Sequence, residues 1–261
     1  MTSAAPVLHI RNLTKQYRRL IAVDDLTLAI APGEFVGLLG PNGAGKSTTM
    51  GCIAGTVAAD EGTVSIDGVE VSEDPVGARR QLGFVPQHLT LLDYLTGLEY
   101  LHFVADLRDL DEDERDAEID ELMLITELDD HRDTIIREYS GGMLRKLALA
   151  SALIGGPKLL VLDESFVGLD PESTFRLRKK LLKHCEDGGS ILLSSHILDM
   201  LEPLCDRFVI LSEGNLVRDL TSDEFAQLLD AGKIEDLTDL YLETTGKKKS
   251  LLSEKGSTSG N

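Results

Sequence analysis

Gly40-Pro41-Asn42-Gly43-Ala44-Gly45-Lys46-Ser47-Thr48 follows the largely apolar run Glu34 to Leu39 and matches G-x-x-x-x-G-K-[ST]. A strand feeding such a loop, with a helix opening at its lysine, is the layout of a phosphate-binding loop. Gly43 and Gly45 let the backbone curl so that successive N–H groups face inward and, with the helix N-terminus, hold an anion. Lys46 is then placed to reach the β and γ phosphates of a nucleotide, and the Ser47 hydroxyl to bind Mg²⁺.

Outward from that loop, the chain reads as an α/β core interrupted by a helical stretch. Val7 to Ile10 and Asp25 to Ile30 alternate like strands, and Pro32-Gly33 turns the chain into the strand before the loop. Helical periodicity follows Lys46 to about Ala54, and a strand pair, Gly62 to Ile66 and Val69 to Val71, is expected around Asp67-Gly68. Leu89 to Gly156 is helical almost throughout. Beyond Pro157, strand and helix alternate through Leu159 to Leu162, Pro171 to Cys185, Ile191 to Leu193 and Phe208 to Leu211. Asp223 to Leu229 and Ile234 to Leu242 read as short amphipathic helices, and the tail after Gly246 as disordered.

The 261 residues suffice for one large domain with a full core. A net charge of −19, from 45 acidic against 26 basic residues, argues against nucleic acid as a partner. Much of the excess lies in Asp106 to Glu121, which reads as a solvated helical face and loop. A salt-adapted source would also explain it. Apolar runs such as Leu147 to Ile154 fall short of the roughly 18 residues a spanning helix needs. Cys52, Cys185 and Cys205 are odd in number, far apart and preceded by no secretory leader, which predicts a reducing cytoplasm.

Leu159-Leu160-Val161-Leu162-Asp163-Glu164 is a continuous apolar run, as expected of a strand buried on both faces, and it ends in two carboxylates. Beside a phosphate loop, Asp163 fits as the Mg²⁺ partner of Ser47, and Glu164 as the base that polarises an attacking water. Four strand-like runs, ending at Gly40, Gln87, Glu164 and His196, deliver a loop or polar residue at a carboxyl end, where open α/β sheets bind ligands.

Tyr139-Ser140-Gly141-Gly142-Met143, placed ahead of Asp163-Glu164, resembles the signature sequence of ATP-binding-cassette (ABC) transporter ATPases. That resemblance covers roughly Val7 to Gly246, and it is most similar to the exporter-type nucleotide-binding domains. It implies a P-loop NTPase (RecA-like) core with an N-terminal antiparallel β subdomain and an inserted α-helical subdomain at about 89–156, all within 1–246. It also implies that Tyr17 stacks on adenine, that Gln87 senses Mg²⁺ and water, and that His196 contacts the γ-phosphate. Gly168-Leu169-Asp170 resembles the family's D-loop. In the family, the turn at Ser140, Gly141 and Gly142 of one copy meets the ATP held by Gly40 to Thr48 of another.

The chain departs from the pattern in two places. Met143 replaces a glutamine, as in many drug, lipid and polysaccharide exporter ATPases of bacteria, and Ser165-Phe166 replaces Pro-Thr or Pro-Ser beside the D-loop. The resemblance implies an ATP- and Mg²⁺-dependent ATPase, cytoplasmic and peripheral on the inner face of the cell membrane. Its implied partners are an integral-membrane permease and a second cassette, with no nucleic acid. The competing expectation is a soluble, non-transport ABC ATPase acting as a scaffold or regulator.

Overall fold

Alternating buried and exposed residues carry the chain out and back through β1 (Leu8–Tyr17) and β2 (Leu20–Ile30) of the structure, a computed structural model describing residues 5–246. Both strands run longer than their alternation suggests, because register shifts along the pair interrupt it, with Asn12 and Asp25 at φ 49°. After β3 (Phe35–Leu39) and α1 (Lys46–Ile53), β4 (Glu61–Ile66) and β5 (Val69–Glu70) turn at Asp67-Gly68 and complete a four-stranded antiparallel sheet, β2-β1-β4-β5.

The chain crosses α2 (Pro75–Arg80) and β6 (Leu82–Val85) into a helical subdomain. Its helix α3 (Gly97–Leu107) starts in a capping box, Glu99 N–H donating to Thr96 and Thr96 N–H to the Glu99 carboxylate. Next come the acidic α4 (Glu112–Ile125) and α5 (Gly141–Leu153), which Ser140 caps by accepting from Met143 N–H at 3.2 Å. The return uses β7 (Leu159–Asp163), α6 (Pro171–Glu186), β8 (Ser190–Ser194), the short α7 (Leu198–Leu201), β9 (Arg207–Ser212) and β10 (Asn215–Thr221). Two helices follow, α8 (Ser222–Asp230) and α9 (Leu237–Thr244). The tail expected after Gly246 lies outside the described residues.

The second sheet has six strands in the order β10-β9-β3-β8-β7-β6, parallel except for β10. Every residue of β3, β7 and β8 is buried, because the sheet is covered on both faces. Leu160, Leu162, Ile191 and Leu193 face the cluster shared with the helical subdomain, whereas Leu159, Val161 and Leu192 face the one beneath the antiparallel sheet. Alternate side chains of one strand thus bind both subdomains to a rigid centre.

All three cysteines are free thiols. Burial pushes Cys52 up to about 11 and Cys185 up to about 12, and raises Cys205 as well, which leaves them poor nucleophiles. Among the described residues no helix is long and apolar enough to cross a membrane.

Candidate active site

The carboxyl end of β3 opens directly into the phosphate loop, with β8 and β9 as its neighbours. Gly45 begins α1 at φ 102°, and a Cβ there would fall 2.4 Å from the Ala22 carbonyl oxygen. Only glycine meets both demands. No side chain caps α1, so its first amides remain available to an anion. The Lys46 ammonium arches over the loop and donates to the carbonyls of Gly40 at 2.6 Å and Pro41 at 3.2 Å.

One cleft gathers Asn42 to Thr48 of the loop, Gln87, and Asp163 and Glu164 from the end of β7, with Tyr17, Leu20 and Ala22 along its outer side. The sequence had not pointed to Leu20 or Ala22; they belong because β2 begins earlier than its alternation shows. Tyr17 is 45% exposed at the tip of β1, which rules out a core tyrosine. Its strand end is held by Asp60, which accepts from Gln16 N–H at 2.7 Å and pairs with Lys15 at 3.0 Å. The Lys15 ammonium lies 5.4 Å from the Tyr17 ring centroid.

Asp163 is buried and accepts a short hydrogen bond from the Ser194 hydroxyl. The same hydroxyl accepts from Glu164 N–H at 3.1 Å. Ser194 therefore holds the Asp163 carboxylate and the Glu164 backbone from the neighbouring strand. Sequence reading missed it, although it stands two residues before His196. Glu164 sits at φ 52°, a left-handed position uncommon for a side chain of its size, and this turns its carboxylate toward the end of β8. There His196 Nδ1 approaches Glu164 Oε2 to 2.7 Å, while the imidazole stays largely exposed. A carboxylate so held can accept a proton from a water, and the imidazole beside it can orient the charge.

Gln87 is exposed at the cleft edge, and its backbone carbonyl accepts from the Arg145 side chain of α5 at 3.3 Å. Ser140, Gly141 and Gly142 do not line this cleft, and Ser140 and Gly141 are exposed at the start of α5. Asp170 caps α6 through Ser173 N–H at 2.9 Å and pairs with Lys146 at 3.3 Å. Those bonds to Ser173, and then Lys146, hold its carboxyl well below the usual range. Phe166 of the Ser165-Phe166 pair is buried in the larger core cluster, so the turn that leads to Gly168-Leu169-Asp170 is anchored by an aromatic side chain.

For Mg²⁺, the chain offers the hard oxygens of Ser47, Gln87 and Asp163 around the loop. Among the described residues no cluster of His, Cys, Asp or Glu could hold a metal alone. A single carboxylate, that of Asp163, with neutral side-chain oxygens beside it suits an ion whose remaining ligands are substrate phosphates and water.

The family described as ABC transporter matches residues 23–167. The lipopolysaccharide export system ATP-binding protein LptB of Escherichia coli (strain K12) is 36% identical over 221 residues, covering 83% of this chain and 91% of that protein. The linearmycin resistance ATP-binding protein LnrL of Bacillus subtilis (strain 168) is 32% identical over 232 residues, 89% of this chain and 75% of that protein. A solved ATP-binding subunit of an ABC transporter superposes with a TM-score of 0.86 at 32% identity, covering 91% of this chain and 99% of that one. The cassette MJ0796, solved as a dimer in a post-hydrolysis state with ADP and Pi, gives 0.76 at 27% identity, covering 82% of this chain and 98% of that one. With the phosphate loop, the two carboxylates and the signature turn in these places, the chain belongs to the ABC transporter family as one of its ATP-hydrolysing cassettes.

Proposed function

We propose that this cassette powers export through a separate integral-membrane subunit, working on the inner face of the cell membrane as one of a pair. The observation that carries the pairing is that Ser140 to Gly142 lie outside the nucleotide cleft, with Ser140 and Gly141 exposed. A signature turn that cannot serve its own cleft can serve that of a second cassette. The export direction draws its support from the likeness to proteins named for lipopolysaccharide export and linearmycin resistance.

In this reading Tyr17 stacks on adenine, Gly40 to Thr48 hold the phosphates, and Ser47, Gln87 and Asp163 hold Mg²⁺. Bound Mg²⁺ would neutralise charge on the β and γ phosphates. Glu164 accepts the proton of the attacking water, and His196, 2.7 Å from it, orients the carboxylate and reaches toward the γ-phosphate.

The test purifies the tagged chain from detergent extracts of its source cells and asks whether a polytopic membrane protein comes with it. Co-purification in detergent, with phosphate release that needs Mg²⁺ and stops in EDTA, is the expected result. Recovery with ribosomes or a soluble assembly instead would support the scaffold reading. A second measurement concerns the base. Tyr17→Ala should weaken ATP binding by about 1–3 kcal/mol, the scale of base stacking on an aromatic side chain. Phosphate contacts remain, so binding is weakened and not abolished. Unchanged affinity would remove Tyr17 from the site.

A further inference from the structure

Helix α4 ends in the hydrogen-bond pattern of a Schellman turn, Leu128 N–H donating to Met123 C=O at 2.9 Å and Glu127 N–H to Leu124 C=O at 3.2 Å. The left-handed position in that turn suits glycine, yet here it is Glu127, at φ 57°. Its carboxylate accepts from Ser173 Oγ at 2.6 Å and pairs with Lys146 Nζ at 3.0 Å, with Arg176 at 3.8 Å. Ser173 Oγ is also 2.6 Å from Asp170 Oδ2, and Lys146 Nζ is 3.3 Å from the same oxygen. One hydroxyl proton cannot satisfy two carboxylates at once. The Lys146 charge between them is what lets Glu127 and Asp170 sit together.

These residues come from three places: the end of α4, the signature helix α5, and the D-loop with the first turn of α6. Ser173 is fully buried and the Lys146 side chain is 12% exposed, while the Glu127 and Asp170 side chains are 33% and 51% exposed, so the hydroxyl and the ammonium are shielded from water and the carboxylates only in part. Nearby, the signature turn already approaches the D-loop closely, a Cβ on Gly142 falling 3.4 Å from the Gly168 carbonyl oxygen.

We propose that Glu127 is a positioning residue that, with Lys146 and Ser173, locks the signature turn (Ser140 to Gly142) to the D-loop (Gly168 to Asp170), so that both reach an opposed cassette as one body. This rests on the paired reading above. Glycine is the better backbone residue at this turn, so a glutamate serving only to end the helix would be improved by replacement. A latch predicts the opposite for turnover.

The full chain is compared with Glu127→Gly. Its melting temperature should equal or exceed the parent's. Without nucleotide, amide hydrogen exchange in peptides covering 139–146 and 165–170 should quicken in both segments. The kcat should fall about ten- to a hundredfold, as expected when reacting groups are misplaced, with KM for ATP within about twofold. Adding Ser173→Ala should cost little more, because both changes open one latch. Unchanged exchange in the two segments, or an unchanged kcat, would overturn the proposal. So would a fall in melting temperature with exchange quickened throughout the chain. If the parent hydrolyses ATP without ever pairing, the composite reading fails, while the exchange result still judges the latch.

Discussion

Replacing Glu164 by Gln should cut ATP turnover by about 10²- to 10⁴-fold, the usual worth of a general base, while ATP still binds. The amide keeps the size of the carboxylate and its hydrogen bonding at the left-handed corner after β7, so phosphate loop, Asp163 and Ser194 stay where they are. What is lost is the group that accepts the proton of water. If ATP bridges two cassettes and hydrolysis dissolves the bridge, blocking hydrolysis traps the bridged state. The parent should then run as a monomer and Glu164→Gln as an ATP-dependent dimer in light scattering. Turnover at the parent rate would remove Glu164 from the role of base.

The parts of this site legible in the sequence are those where local backbone and chemistry coincide. Gly40 to Thr48 announce themselves because the loop needs glycine for its backbone and lysine for its charge. Asp163-Glu164 stand out because carboxylates are costly at the end of a buried strand. The same logic located the central strands, whose unbroken apolar runs follow from burial on both faces.

What stayed hidden is non-local or conformational. Ser194 touches Asp163 and Glu164 across a parallel strand pair, and no spacing along the chain reveals which serine will lie there. Strand β10 has one buried residue among seven, Leu220, so it carries no alternation to detect. Helix α7 has four residues, too few to show a period. Helix α2 was missed despite a readable start, Asp74 accepting from Gly77 N–H at 2.8 Å with Pro75 at the first helical position. Glu127 reads as one more acid in an acidic stretch. Only its positive φ shows that a glycine position has been given to a side chain.

The other large effect expected is at Ser140. In the proposed pair, the γ-phosphate held by Gly40 to Thr48 of one chain faces the start of α5 of the other. Ser140→Arg would drive a long side chain into that gap. It also removes the cap that Ser140 gives Met143 N–H, a loss of about 0.5–2 kcal/mol of local stability, which Ser140→Ala measures alone. Placed on Glu164→Gln, Ser140→Arg should abolish the ATP-locked dimer without emptying the phosphate loop, because cleft and signature turn do not share a wall within one chain. A dimer that survives the change would refute the composite site. The same separation permits a stronger test in which two inactive chains are mixed. One carries Ser140→Arg with an intact loop, and the other carries Lys46→Ala with an intact signature turn. Each mixed pair then holds one complete site, Lys46 from the first chain facing Ser140 from the second, and the mixture should recover part of the activity that neither shows alone. A site completed within one chain offers no route to that recovery, since each chain would carry its own lesion into every pairing.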